Sequence, residues 1–344
     1  MNVNMRKIIA IIFIIIGAAA AIIISSSIKK DITISFTGDI LLDRGVRDKL
    51  INKGIDYPYI KIKDILKKSD IAVGNLECPL IDKGTYVLKR RDLIFKGDVE
   101  NADALKRAGY NVLNLANNHV MDYGRDGLIN TIKVLNSSSI QTVGAGKDKK
   151  DANTPLFINK NGVKIGFLGY NMFPAEGFTY SDAKPDTARL EQKLMKENIR
   201  KAKNNCDFLI VTLHWGNEYS FYPSDFQKEI AHLSVDSGCD VVIGHHPHVL
   251  QGVEKYKDKL VFYSLGNFVF DKQIPNGTDE TIILNLKIKK NGMVDCRIIP
   301  VKIKDCQPTP VYGSEADYVL NRLKFYSERM NTQFYINDNK ALVE

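Results

Sequence analysis

An α/β fold of stacked, mixed β-sheets flanked by helices, following an N-terminal transmembrane helix, is what this 344-residue sequence predicts. Three observations carry that expectation. Helical and strand-like segments alternate through the first half. Two Asn-Gly pairs, Asn161-Gly162 and Asn291-Gly292, each lie between apolar runs in the second half, the strongest short signal for an antiparallel hairpin. Polar, histidine-rich motifs fall where predicted strands end.

The first element is apolar. Positions 8–24 are all apolar or small, preceded by Arg6-Lys7 and followed by three serines and Lys29-Lys30. That length is at the short end of what spans a bilayer core. Ala18-Ala19-Ala20 could serve a signal peptidase, but the mature chain would then open on an isoleucine run, so an uncleaved anchor is the favoured reading. No cysteine follows it, which excludes a lipoprotein anchor. The charges before the segment favour a cytoplasmic amino terminus and place the bulk of the chain outside the cytoplasm. The domain scheme is an anchor over 1–30, one α/β domain over 31–310, and a C-terminal helix and tail over 311–344.

Positions 31–37 alternate apolar and polar residues and run into Gly38-Asp39, as a strand ending in a turn does. A short apolar strand at 71–73 ends in Gly74-Asn75. A helix at 102–108 is closed by Gly109. A strand at 111–115 leads into Asn117-Asn118-His119, and Asp122-Tyr123-Gly124 then reads as the cap of a helix near 127–135. A strand at 140–143 precedes the first hairpin, 154–159 with 163–168. After it come a polar helix near 188–202, a strand at 208–213, a helix at 226–237 and a strand at 241–244. Short strands at 261–265 and 268–270 precede the second hairpin, 281–288 with 293–299. A helix at 316–326 and a frayed tail close the chain.

Net charge is +8, which suits an anionic polymer, a phospholipid surface or simply a lysine-rich solvated face. No helix-turn-helix, zinc-finger or RNP-type motif is visible, so nucleic acid is not expected as a partner. The cysteines, Cys78, Cys206, Cys239, Cys296 and Cys306, form no C-x-x-C pair, so a bound metal would be held by His, Asp, Glu and Asn.

Of six histidines, five lie in strand-end motifs. These motifs are Gly38-Asp39, Asn75-Leu76-Glu77, Asn118-His119, His214-Trp215-Gly216 and Gly244-His245-His246-Pro247-His248. His232 is the exception and reads as an ordinary helix residue. In α/β folds functional groups gather outside the carboxyl ends of strands, so separate strand ends could converge on one pocket. Carboxylate, imidazole and carboxamide donors suit one or two divalent ions such as Mn, Fe or Zn. His119 could protonate a leaving group instead of binding metal. Arg44 could clamp a phosphate or carboxylate, or equally pair with Asp43 or Asp122. Lys89-Arg90-Arg91 with Lys96 could line a polyanion groove or form a solvated face. Glu218 and Asn267 could support a histidine ligand, and Trp215 packs beneath the site.

From 32 to 271 the chain resembles the calcineurin-like metallophosphoesterase superfamily and, more closely, the CapA family associated with poly-γ-glutamate capsule synthesis. The residues that carry the likeness are Thr37-Gly38-Asp39 through Asp43-Arg44-Gly45, Gly74-Asn75-Leu76-Glu77, and Asn117-Asn118-His119 through Tyr123-Gly124. Gly144-Ala145-Gly146, His214-Trp215-Gly216-Asn217-Glu218-Tyr219, Gly244 to His248, and Ser264-Leu265-Gly266-Asn267-Phe268 complete it. The resemblance implies an αββα sandwich. It also implies Asp39, Asn118, His214, His246 and His248 as metal ligands, Asn75 or Glu77 as the bridge, and His119 near the substrate. Two positions depart from the superfamily pattern: Leu41 stands where a histidine is expected, and Asn75 where an aspartate is. A neutral amide bridges two cations poorly, so Glu77 is the expected carboxylate.

The expectation is a membrane-anchored, extracytoplasmic protein. It would act in the synthesis, export or anchoring of poly-γ-glutamate or a related anionic polymer, with other membrane subunits as possible partners. The alternatives are a metal-dependent phosphatase or phosphodiesterase of the envelope and a non-catalytic assembly subunit.

Overall fold

The structure, a computed structural model, describes residues 31–174, 176–177, 179–289, 294–330, 332–337 and 340–343. The expected anchor over 1–30 and the Asn291-Gly292 turn lie outside the described residues. No described helix is long and apolar enough to cross a membrane.

The strands, in chain order, are β1 (Ile32–Ile40), β2 (Ile71–Leu76), β3 (Val112–Asn114), β4 (Gln141–Val143), β5 (Ala145–Gly146) and β6 (Leu156–Lys160). Next are β7 (Val163–Asn171), β8 (Asp186–Thr187), β9 (Phe208–His214), β10 (Val241–His245), β11 (Val253–Tyr256) and β12 (Lys259–Phe262). The last are β13 (Asn267–Val269), β14 (Glu280–Ile288), β15 (Val294–Lys304), β16 (Gln307–Pro310), β17 (Phe334–Asn337) and β18 (Lys340–Val343). The main helices are α1 (Arg44–Lys53), α2 (Asn101–Ala108), α3 (Gly124–Ser137), α4 (Gln192–Lys203), α5 (Asp225–Asp236) and α6 (Ser314–Glu328).

Two large sheets stack. One runs β17-β18-β15-β14-β1-β2-β3-β4, with β13 on β1 and β16 on β15; the other runs β11-β12-β10-β9-β7-β6. Each is mixed: β1, β2, β3 and β4 pair in parallel, whereas β14 and β15 form the long antiparallel pair the second hairpin signal predicts. Period-2 alternation builds the layers. Ile34, Phe36 and Val73 face Ile165, Phe167, Ile210 and Ile243 across the space between the sheets. The intervening residues, Ala72 and Leu113, meet Leu105 of α2 and Leu128 and Leu135 of α3. On the far side Leu209, Val211 and Val242 pack on Ile199 of α4 and Ile230 of α5. The expected stacked mixed sheets between helices are thus present.

Three sequence expectations change. The tail is not frayed: β17 and β18 form a hairpin, and β18 adds to β15. Phe334 pairs with Val343 and Ile336 with Ala341 on the face that joins the inter-sheet core, but each strand is only four residues long, so the sheet edge it joins is what secures it. The strand expected at 261–265 ends at Phe262, because Leu265 turns its amide to the Gly244 carbonyl. α1 was not expected, since its charged sequence buries only Val46 and Leu50; Asp43, accepting from the Arg44 amide, starts it.

Candidate metal centre

Register brings the motifs together. In the first sheet Asp39 lies beside Asn75 on β2 and Asn267 on β13. In the second, His214 on β9 lies beside His245 on β10. Asp39, Asn75, His214 and His245 lie at the carboxyl ends of parallel strands, Asn267 opens β13, and the two sheets present these ends to one another. Close backbone crossings make this possible. A Cβ on Gly38 would lie 2.0 Å from the Gly266 carbonyl oxygen, and one on Gly244 would lie 2.0 Å from that of Tyr263. Only glycine permits either approach.

The loop after β10 is held in an uncommon backbone state, with φ of 94° at His246 and 60° at His248. Such conformations persist where surrounding contacts impose them. Here the Asp39 carboxylate imposes them. It accepts from the His246 backbone N–H at 3.2 Å, and lies 3.1 Å from His245 Nδ1 and 3.4 Å from His248 Nδ1. Asn267 Oδ1 is 3.0 Å from the same His248 nitrogen. His245, the extra neighbour, thus acts through Asp39.

His214 is fully buried, with Nε2 2.8 Å from Asn118 Oδ1, 3.2 Å from His246 Nδ1 and 3.6 Å from Glu77 Oε1. His248 Nε2 reaches the same Glu77 oxygen at 3.9 Å. Three ligand groups follow, each with its donor atoms within 4.8 Å of one another, and two of them are buried throughout, Asp39–Glu77–His248 and Glu77–His214–His246. These two share Glu77. Its Oε1 is buried and has no hydrogen-bond partner among the described residues. An orphaned carboxylate oxygen between imidazoles is costly unless a cation meets it. The donor set therefore fits one or two divalent ions.

Hydrogen bonding decides between Asn75 and Glu77. Asn117 Oδ1 accepts from the amides of His119 and Val120, which fixes its amide orientation. Its Nδ2 therefore donates to Asn75 Oδ1, as does Asn114 Nδ2. That turns the Asn75 NH2 toward Asp39 Oδ1, at 2.9 Å. A donor group facing a metal position cannot bind the ion, so Asn75 supports Asp39 and Glu77 is the carboxylate that faces both sets.

Charge is divided accordingly. Burial opposes ionisation of Asp39, but hydrogen bonds and attraction from His245 and His248 hold its carboxyl well below the usual range. Burial, reinforced by the Asp39 charge, pushes Glu77 well above its usual value. Burial drives His214 and His246 well below the normal imidazole value, aided in each case by a neighbouring histidine. For His248 burial is overcome by Glu77 and Asp39, and its value rises to about 9. Neutral His214 and His246 are in the protonation state that metal ligation requires.

A cavity of about 160 Å³ opens beside the carboxylate–histidine cluster, lined in part by Leu41, Arg44, Glu77, His119, Glu218 and His248. His119 Nδ1 is 3.0 Å from Asp122 Oδ2, and the ring packs on Phe95. Burial lowers the His119 value, and Asp122 opposes that shift. Asp122 does not cap α3, contrary to expectation; Tyr123 occupies that position without a side-chain bond. Asp122 instead also accepts from the Phe95 amide and from buried Lys89 Nζ at 2.5 Å. Arg44 pairs with neither Asp43 nor Asp122. Its Nη2 donates to Asp271 at 2.6 Å, and its guanidinium lies 4.8 Å from the centre of the Phe95 ring. Its Nε is buried with no partner among the described residues. The basic run does not act as one surface: Lys89 is buried, Arg90 pairs with Asp92, and Lys96 Nζ donates to the Ile81 and Asp82 carbonyls. Trp215 is buried beneath the site and donates to the Tyr263 carbonyl. His232 stays apart, stacked on Tyr256 and bonded to Glu254.

Asp271 and Lys89 were the residues sequence reasoning missed as partners. Each meets its counterpart across 227 and 33 positions respectively, so no local pattern marks them.

The sandwich with its histidine–carboxylate cluster at the strand ends defines a metallophosphoesterase-like α/β protein. Solved structures agree on the fold. A novel phosphatase from Mycoplasma pneumoniae superposes with a TM-score of 0.51 at 15% identity, covering 80% of this chain and 95% of that one. The Haemophilus influenzae NAD nucleotidase also gives 0.51 at 15% identity, over 86% of this chain and 63% of that one. The sequence is more specific: residues 33–272 match the bacterial capsule synthesis protein family PGA_cap, and the chain belongs to it. It is 36% identical to the capsule biosynthesis protein CapA of Bacillus anthracis over 286 residues, 81% of this chain and 69% of that protein. To the PGA biosynthesis protein CapA of Bacillus subtilis it is 34% identical over 281 residues, 81% of this chain and 74% of that one.

Proposed function

We propose that this protein, anchored by its N-terminal segment with the α/β domain outside the cytoplasm, takes part in synthesis, export or anchoring of poly-γ-glutamate or a related anionic surface polymer. The metal centre would act on a phosphoryl or acyl-like linkage. The capsule-related names of its relatives and the net charge of +8 support the polymer. The single observation behind a metal-dependent role is the buried, partnerless Glu77 oxygen shared by two ligand sets.

Asp39, Glu77, Asn118, His214, His246 and His248 would hold the ions. When bound, two divalent ions supply an activated water and charge neutralisation on reacting oxygens. His119, with Nδ1 engaged by Asp122, has Nε2 left for the cavity and can give or take a proton there. Arg44, held by Asp271, lines the same cavity, where its guanidinium can meet an anionic oxygen.

The test joins metal analysis to polymer yield. Purified protein should retain near-stoichiometric transition metal, and His246→Ala should lose both the metal and polymer production while still accumulating in cells. Leu41 and Asn75, which remove two expected ligands, favour one rival: a non-catalytic assembly subunit. Unimpaired polymer production by His246→Ala would establish that rival. Phosphoester turnover without any effect on polymer would instead favour a plain envelope phosphatase or phosphodiesterase.

A further inference from the structure

The loop after β9 carries a carboxylate that the two buried ligand sets leave out. Glu218 offers an oxygen within 4.8 Å of both His246 and His248 donor atoms, and it lines the 160 Å³ cavity. It is exposed, so it approaches from the open side, whereas Asp39 and Glu77 rise from the buried floor. No lysine or arginine pairs with it among the described residues.

The backbone that presents it is specified rather than loose. Gly216 has φ of 85°, and a Cβ there would meet the Gln227 side chain at 2.6 Å. Tyr219, at φ 62°, donates its N–H to the Pro247 carbonyl at 2.8 Å. That bond ties the Glu218 loop to the loop bearing His246 and His248. The Tyr219 ring lies 6.1 Å from that of His248.

Donor arithmetic explains the need. Leu41 is fully buried, uses its amide on the Val269 carbonyl, and has no side-chain donor to give. The Asp39–Glu77–His248 set then holds three side chains, one fewer than a four-coordinate ion takes from a closed site. We propose that Glu218 is itself a metal ligand, reaching from the solvent side an ion held with His246 and with His248, the donor its group shares with the Asp39–Glu77–His248 set. This rests on the metal reading of the site and extends it. A third carboxylate also brings the acidic ligands to Asp39, Glu77 and Glu218 against two divalent ions.

Manganese titration of the full-length chain, with free ion followed by electron paramagnetic resonance, tests this without recourse to activity. Glu218→Gln should weaken binding of at least one ion about tenfold or more, the lower bound seen even for residues that only orient ligands. Since Glu218 is exposed, melting of the metal-free variant should match wild type. Glu218→His distinguishes ligation from a through-space charge. It removes the charge but keeps a donor, so affinity should recover relative to glutamine. Wild-type affinity in Glu218→Gln, or equal weakness in the glutamine and histidine variants, would overturn the inference while leaving the metal centre intact. A wild-type chain that binds no manganese, zinc or iron would overturn both.

Discussion

At the residue scale the site is a set of buried groups whose charges depend on one another. Glu77 is central because both ligand sets contain it. Glu77→Gln should reduce bound metal by at least one equivalent, measured by elemental analysis, whereas Asn75→Asp should be tolerated or should tighten binding. His119→Ala should leave metal content unchanged and cost about 10²–10⁴-fold in any turnover the site performs, the usual span for a general acid or base.

The same residues set a pH dependence for the metal-free protein. His248 is raised from 6.5 to about 9, so its stabilisation is complete below 6.5 and is lost as pH rises toward 9. The raised Glu77 acts in the same direction. His214 and His246 are depressed, so the unfolded chain binds more protons below 6.5 and stability falls there too. Thermal melts in chelator should therefore show greatest stability near neutrality with losses on both sides. His248→Gln should flatten the alkaline limb.

At the scale of elements, strands aim the ligands and glycines let the strands meet. Gly38→Ala and Gly244→Ala each force a methyl group onto a carbonyl oxygen at 2.0 Å. Backbone must shift, so each should destabilise by about 1–3 kcal/mol or more and release metal, read by denaturant melts and metal analysis together. α5 offers a contrast away from the ligands. Ser224 and Gln227 form a reciprocal capping box at its start. Ser224→Ala should cost about 1 kcal/mol of stability with metal content unchanged. Most elements were legible because alternation and turn chemistry are local: the Asn161-Gly162 turn joins β6 and β7 as expected. α1 and the β17–β18 hairpin were not, because one is mostly polar and the other depends on a sheet edge contributed by β15.

At the scale of the whole molecule, two stacked sheets belong to a chain of net charge +8. The reading of the net charge of +8 as polymer recognition predicts salt-sensitive binding to an anionic polymer. Affinity should fall by at least several-fold between about 50 and about 300 mM salt, measured by sedimentation with labelled poly-γ-glutamate. Trp215, the single tryptophan, is buried under the site and provides a fluorescence signal for metal binding or its loss.

The sequence by itself determined the layered α/β class and the residues gathered at strand ends, since periodicity and donor chemistry are properties of short segments. Tertiary structure decided which donors meet. Asn75 is turned away from metal binding by Asn117, whose own amide is held by a backbone turn. Arg44 belongs with Asp271 rather than Asp43 or Asp122, and Asp122 orients His119 instead of capping a helix. Glu77 becomes shared only because the carboxyl ends of two separate sheets face one another. Distance in the chain carries no information about such encounters; strand register and sheet stacking supply it.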